Sequence, residues 1–420
     1  MSEQNALHSL RLGNGLQIVG QAMPDVESVA LAYAIRTGAR DEDDPALFGV
    51  SHFLEHMHFK GTKTRGWQAF NQALDRVGAE NNASTSYEWT VYYLRVVSDY
   101  FERAFHLLSE MVMEPRLDES DFEQEKGVII NEIARSEDQP QRYLRRRMMH
   151  AYFADHPLGQ YVLGSRESIR AMQLAQMRDY WQRRYVVGNM VLSVVGKFEW
   201  DHLVELAAQT CHALRTGEAE RTLEPYEPAA AARHILVDER LKQQLITISL
   251  PTVSAQDPEY EAAWLGSTVL GYPDGSRLYW TIRQKGLAEL ASSSLWAFDG
   301  TGLMFVEAST TPEQAPQVLR LLRAELERLL NNGIEEDELR RAKAKRIAAL
   351  VFESESTYSR MRTLANDWLY QGRVYSLDEQ IERIERVSRE EVMRTLRRFP
   401  LLEKQVLTTL GPLGEEQLVS

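Results

Sequence analysis

The chain has a single cysteine, Cys211, among its 420 residues. No disulfide can therefore form within it, and a cysteine-held zinc site is excluded. Any metal must be held by histidines and carboxylates. No run of about 18 to 20 apolar residues is present. The opening stretch, MSEQNALHSLRLGNGLQIVG, has no basic region leading into an apolar one. A cytoplasmic protein is expected, without an address, an anchor or a membrane partner. Positive charge is in short supply: 48 Lys and Arg stand against 61 Asp and Glu, a formal net charge of −13. That balance argues against nucleic acid as a partner and suits cationic peptides or proteins. The remaining composition, 44% hydrophobic and 26% charged, is that of a globular protein long enough for two domains.

Residues 8 to 37 alternate as strands, with Asn14-Gly15 as a hairpin turn. A second strand pair is expected around residues 81 to 97, in ASTSYEWTVYYLRVV, and helices at 98 to 113 and 119 to about 136. The stretch 216–232, TGEAERTLEPYEPAAAA, is polar and holds Pro225 and Pro228. It reads as a linker between a domain at 1–215 and another at 233–420. After it the pattern restarts: strands in HILVDERLKQQLITISL, a helix in PEYEAAWLGSTVLG, a strand near 301 to 309, and long helices at 312 to 331 and from 335 onward. LDESDFEQEK at 117–126 and IEEDELRRAK at 334–343 both open a helix with acidic residues, which suit its positive end. This suggests an internal repeat with an offset of 217 residues. The offset sets Ala342 opposite Glu125 and Ala349 opposite Glu132, so one half would carry chemistry and the other only scaffold.

The chemistry-bearing stretch is Ser51-His52-Phe53-Leu54-Glu55-His56-Met57-His58-Phe59. On a helix, His52, Glu55 and His56 share one face, while Phe53, Leu54 and Met57 can turn to the core. Two imidazoles four residues apart can reach one zinc ion; a third ligand is needed, and a catalytic site leaves the fourth position for water. The carboxylate between the histidines is placed to take a proton from that water and pass it to a leaving amine. An HxxEH match arises by chance roughly once in forty such chains, so the third ligand decides the matter. His58 is expected to point elsewhere, at the surface or behind the site.

HFLEHMHFKGT resembles the active-site helix of the inverzincin family, which includes pitrilysin, insulin-degrading enzyme and the β subunit of mitochondrial processing peptidase. In that family the third ligand is a glutamate some seventy-odd residues after the second histidine, in a pattern similar to ExxxxxxE. Glu125 to Glu132 fits that pattern, Glu132 standing 76 positions after His56. The resemblance implies Glu132 as the third ligand of one Zn2+ per chain and Glu125 as a supporting residue behind it. Asn81-Asn82-Ala83-Ser84-Thr85 resembles the family's NAxT strand, a sheet edge on which the peptide backbone is laid, with Asn82 and Ala83 as the matching positions.

The likeness continues through His156-Pro157-Leu158-Gly159, Gly164-Ser165, residues 194–198 and Gly275-Ser276-Arg277-Leu278, across nearly the whole chain. It implies an α+β fold of two homologous α/β sandwich domains, each a mainly antiparallel sheet with helices on one face, related by pseudo-symmetry. One departure stands out. Relatives carry an Arg and, seven residues later, a Tyr that hold substrate and the developing oxyanion. Here the stretch is one residue shorter and places Glu289 at the Tyr position, leaving Arg277, Tyr279 or Arg283 as substitutes in substrate binding. The implied function is a zinc endopeptidase for peptides or unfolded protein segments, working in a chamber closed by a homodimer or by a heterodimer with a related chain. The alternative is a non-catalytic peptide-binding or assembly subunit of a heterodimeric processing peptidase; the complete set of His52, Glu55, His56 and Glu132 favours the enzyme.

Overall fold

The structure, a computed structural model, describes residues 7–221, 223 and 225–419. They form two compact units, neither of which follows the chain in one block. The first comprises the described parts of 1–135, 160–222 and 351–377; the second comprises those of 136–159, 223–350 and 378–420.

The first unit is built on a six-stranded sheet: β1 (Leu7–Arg11), β2 (Gln17–Ala22), β3 (Ser28–Ile35), β4 (Glu80–Thr85), β5 (Thr90–Val97) and β6 (Met190–Gly196), in the order β1-β2-β6-β3-β5-β4. Only β2 and β6 pair in parallel. The expected Asn14-Gly15 turn joins β1 to β2, with Gly15 at a φ of 101° that a side chain would resist. The second unit holds β7 (Ala232–Val237), β8 (Gln244–Thr252), β9 (Leu290–Ala297), β10 (Gly302–Thr310) and β11 (Val406–Gly411), ordered β7-β11-β8-β10-β9 with β7 and β11 parallel. Leaving out β1, the two sheets have the same order and the same single parallel pair. The internal repeat is thus a repeat of topology.

The helices, in chain order, begin with α1 (Val50–His58), α2 (Trp67–Arg76), α3 (Phe101–Met113), α4 (Glu119–Glu137), α5 (Pro140–Phe153), α6 (Arg166–Ala171), α7 (Leu174–Arg184) and α8 (Trp200–Thr210). They continue with α9 (Tyr260–Gly271), α10 (Ala315–Asn332), α11 (Glu336–Ser354) and α12 (Thr357–Gln371). Helices α4 and α11 are both 19 residues long and start 217 residues apart, the offset read from the sequence.

Strand β3 shows how the layers are set. Val29, Leu31, Tyr33 and Ile35 face a large core shared with α1, α3, α4 and α7, whereas Ala30, Ala32 and Ala34 face the other side, as the two-residue period of a strand requires. The alanine face is low enough for a helix to approach closely, and α12, from the second half of the chain, lies on it through Met361, Leu364 and Ala365. So the main helical layer covers one face of the sheet, and one borrowed helix covers part of the other. In the second unit the helix in the matching place is α5, from the first half, where Leu144 packs with Leu245 and Leu410. Hydrogen bonds pin α12: Ser193 Oγ donates to Met361 O (2.8 Å), Arg360 Nε to Gln21 Oε1 (2.7 Å) and Tyr370 OH to Glu88 Oε2 (2.9 Å).

Glu88 is buried and also ion-paired with buried Arg40 at 2.6 Å. A hydrogen bond to a buried charge contributes about 1.5–3 kcal/mol. Tyr370→Phe is therefore expected to lower stability by that amount in urea unfolding, an effect that would not occur if α12 belonged only to the second unit.

Residues 222 and 224 of the stretch read as a linker lie outside the described residues. The polar stretch is not all free-running: Arg221, its side chain 3% exposed, donates from Nε and Nη2 to Asp41 at 2.9 and 2.7 Å. The second half begins its sheet at Ala232. No helix among the described residues is long and apolar enough to cross a membrane.

Candidate metal centre

Helix α1 begins at Gly49, whose φ of 93° and whose close approach to Leu163 O and Gly164 leave no room for a side chain. The buried Glu42 carboxylate accepts from Gly49 N (2.7 Å) and Ser51 N (2.9 Å), which satisfies two of the donors a helix start leaves open. Val50, Phe53, Leu54 and Met57 pack into the core. His52, Glu55 and His56 are left on the opposite face, as the spacing predicted. On α4, Phe122, Ile129 and Ile133 are buried, and Phe122 stacks on Phe53 with ring centres 4.6 Å apart and planes 3° from parallel. That contact locks the helix bearing Glu125 and Glu132 against the helix bearing the histidines.

Three donor groups converge there. Nε2 of His52 and Nε2 of His56 lie 3.6 and 3.5 Å from Glu132 Oε2, and the two imidazole centres are 4.6 Å apart. Ligands about 2.0–2.1 Å from a tetrahedral zinc stand about 3.4 Å from each other. The two contacts to Glu132 fit that edge length, and among the described residues this is the one cluster of three or more such groups able to hold a metal ion. The donor set of two imidazoles and one carboxylate also matches zinc in type. Glu132's side chain is 38% exposed, so the cluster opens to solvent on one side, where a water can stand.

Behind the histidines, His56 Nδ1 is hydrogen-bonded to Glu125 Oε1 at 2.8 Å, and Lys60 Nζ lies 2.5 Å from Glu125 Oε2. Burial alone would raise the Glu125 carboxyl, but His56 and Lys60 hold it below the usual carboxylate range. Burial opposes protonation of His56 as well, yet its bonds to Glu125 and Glu132 carry it up to about 9. Holding a metal therefore displaces a proton from that ring. His52 is pulled down to about 4, by burial first and by His56 second. Its Nδ1 is buried without a hydrogen-bond partner among the described residues, so only His56 has carboxylate support. Glu125→Gln is expected to weaken zinc binding about 10- to 100-fold, measured by competition with a chromophoric chelator; an unchanged affinity would contradict its supporting role.

Glu55 lies beside the cluster. Burial raises its carboxyl above the usual range, and a hydrogen bond donated by Thr85 Oγ1 to Oε2 at 2.5 Å works against that shift. Thr85 belongs to β4, the edge strand of the first sheet. Asn82 on that strand is exposed and Ala83 is buried, so the sheet edge runs past the general-base candidate, with Ala83 N donating to Asn82 Oδ1 at 2.9 Å.

The remaining expected residues lie in the second unit, each already engaged there. Arg277 donates from Nε and Nη2 to Glu338 at 2.7 and 2.6 Å, and to Gly333 O at 2.7 Å. Arg283 donates to Glu289 O (3.2 Å) and to Pro273 O. Tyr279 OH donates to Gln284, and Glu289 accepts from Gln243, at 2.9 and 2.8 Å. Recruiting either arginine to a substrate means exchanging these partners.

His58 departs from expectation. It is neither on the surface nor at the cluster but fully buried, with Nδ1 2.7 Å from Leu54 O and 3.1 Å from Tyr92 OH. Two residues past His56 it faces the core, where a polar ring finds partners in Tyr92 and the helix backbone. Sequence reasoning passed over Lys60 and Glu42, and it quoted Thr85 only as the end of the NAxT-like strand, without its bond to Glu55. Lys60 stands four residues after His56 and was findable by helical spacing; Glu42 acts through tertiary pairing that no local pattern carries.

The chain thus consists of two repeated sheet-and-helix units with a histidine–carboxylate cluster in one of them. Residues 17–166 match the family model described as insulinase (peptidase family M16), and residues 171–346 match the one described as peptidase M16 inactive domain. The chain belongs to peptidase family M16. A protein of Streptomyces coelicolor described as an uncharacterized zinc protease is 31% identical over 97% of this chain and 90% of its own length. One of Mycobacterium tuberculosis, described the same way, is 32% identical over 97% and 93%. Among solved structures, a peptidase M16 inactive domain from Pseudomonas fluorescens superimposes with a TM-score of 0.90 over 97% of this chain and 98% of that one, at 21% identity. The match labelled inactive includes Ala342, which the 217-residue offset sets opposite Glu125; Ala349, set opposite Glu132, lies just beyond it.

Proposed function

We propose that this chain is a zinc-dependent endopeptidase acting on peptides or unfolded protein segments. His52, His56 and Glu132 would hold one zinc ion per chain, and Glu55 would be the general base. The observation that carries the reading is the convergence of both imidazole Nε2 atoms on Glu132 Oε2 at tetrahedral-edge spacing, with Glu55 alongside. Bound there, zinc supplies a Lewis acid that makes water nucleophilic near neutral pH and polarises a carbonyl. Glu55 Oε2 is held by Thr85, leaving Oε1 to accept the water's proton and return it to the departing amine. Glu125, backed by Lys60, orients the His56 ring through Nδ1. The edge of β4 at Asn82 and Ala83 takes the peptide as an added strand, which replaces the bond from Ala83 N to Asn82 Oδ1, so main-chain hydrogen bonds fix the scissile bond. Arg277 or Arg283 takes part in holding substrate after leaving its present partner. The first half carries the chemistry and the second does not. A homodimer, or a heterodimer with a related chain, closes the chamber.

The test is cleavage of a quenched fluorogenic peptide library by the purified protein, with bound metal quantified. Cleavage that disappears on chelation and returns with zinc is the expected result. A fully zinc-loaded chain that cleaves nothing, alone or with a related chain, would favour a peptide-binding or assembly subunit, the reading that Glu289 at the Tyr position supports.

A further inference from the structure

We propose that Thr85 is a positioning residue for Glu55: through its hydroxyl, the edge strand that takes up the peptide also fixes the group that takes the proton. The inference rests on the peptidase reading above and adds to it a residue that the ligand pattern does not include.

Glu55 is a side chain with three rotatable bonds on a face of α1 that borders solvent, whereas Thr85 sits on a fixed backbone. Its strand pairs with β5 in unbroken register from Glu80↔Arg95 to Thr85↔Thr90. The hairpin is closed just beyond it by Ser86 N donating to Trp89 O at 2.8 Å. Thr90, directly opposite Thr85, is buried and anchored by its own hydroxyl, which donates to Thr37 O at 2.9 Å. The 2.5 Å bond from Thr85 Oγ1 to Glu55 Oε2 thus ties the carboxylate to a point fixed by sheet pairing, and a charge-assisted bond of that length is among the stronger ones.

The geometry of the strand makes this more than a local contact. Side chains alternate along β4, so Thr85 and Ala83 share the face turned toward α1, where Ala83 packs in the core. Asn82 and Ser84 take the other face. The outer backbone edge of the same strand pairs with no other strand among the described residues, because β4 ends the sheet; on that edge Ala83 N donates to Asn82 Oδ1 at 2.9 Å, a bond that a docking peptide replaces. A peptide laid along that edge and the carboxylate held by Thr85 are consequently referenced to one piece of backbone, two or three residues apart. Registration between base and scissile bond is worth most in the transition state, since positional errors of about 1 Å can cost roughly 100-fold. Loss of the hydroxyl should appear in kcat, not in KM.

The experiment compares Thr85→Val, Thr85→Ser and Glu55→Gln with the wild type for kcat, KM and zinc affinity. Valine keeps the shape and removes the donor; serine keeps the donor and removes a methyl group. The expected result is a fall in kcat of roughly 10-fold or more for Thr85→Val, the order of the freedom regained by an unheld Glu side chain. KM and zinc affinity should be unchanged, and Thr85→Ser should stay near the wild type. A metal-free crystal structure of Thr85→Val should show the Glu55 carboxylate away from β4. Thr85→Ala serves in its place if the valine variant does not fold. Wild-type kcat in Thr85→Val, or a loss in Thr85→Ser as large as in Thr85→Val, overturns the inference while the peptidase reading stands. Absence of cleavage by the zinc-loaded wild type, both alone and with a related chain, overturns both.

Discussion

Replacing Glu55 with Gln is expected to lower the rate of peptide cleavage about 100- to 10,000-fold, the range supplied by a positioned acid–base group. The amide has the size of the carboxylate and can still accept the hydrogen bond from Thr85 at its oxygen, but it cannot take a proton. Because Glu55 is not among the three groups that converge at the cluster, the variant should keep its zinc, and its unfolding midpoint should stay close to that of the wild type. The loss should lie in kcat, since a group that acts on the proton in flight contributes little to ground-state binding. Steady-state kinetics on one fluorogenic peptide, with zinc measured on the same samples, checks all three points. A variant that loses zinc together with activity would mean that Glu55 belongs to the ligand set and that the assignment of roles is wrong.

The second large effect is expected at a residue that touches neither metal nor substrate. Phe122 on α4 is fully buried and stacks on Phe53 of α1, one residue from His52 and three residues before Glu125. Phe122→Ala is expected to cost about 3–5 kcal/mol, combining lost transfer free energy with the cavity left behind and the lost ring stacking. The measurement should be made by denaturant unfolding of metal-free protein, because a ligand that binds only the folded state adds its own stabilisation. Zinc affinity should fall as well, since α4 would no longer be held at the distance that brings Glu132 to the histidines. A stability loss with full zinc affinity would mean that the helices are positioned by other contacts.

The sequence carried the site more fully than the arrangement of chain around it. Helix α1 was legible because His52, Glu55 and His56 obey helical spacing while Phe53, Leu54 and Met57 fill the opposite face. Helix α4 was legible through its acidic start, its apolar stripe and its 217-residue echo in α11. The hairpin of β4 and β5 followed from alternation. What local pattern could not convey is which sheet an amphipathic helix covers. Helices α5 and α12 bury apolar stripes, but nothing in either stripe says that the partner sheet belongs to the other half of the chain. Alanines on β3 admit α12; their role is visible only once the helix lies there. Arg221 read as part of a polar linker because its partner, Asp41, is 180 positions away. His58 read as peripheral because its burial depends on Tyr92, two strands' worth of sequence further on.

The central claim is that His52, His56 and Glu132 hold zinc, and the most direct test is anomalous X-ray scattering from crystals of the zinc-loaded protein, recorded above and below the zinc absorption edge. The account predicts a single strong peak per chain, about 2.0–2.2 Å from Nε2 of His52, Nε2 of His56 and a Glu132 carboxylate oxygen, with a fourth direction open toward Glu55. A zinc-loaded crystal with no peak between these three residues would contradict it.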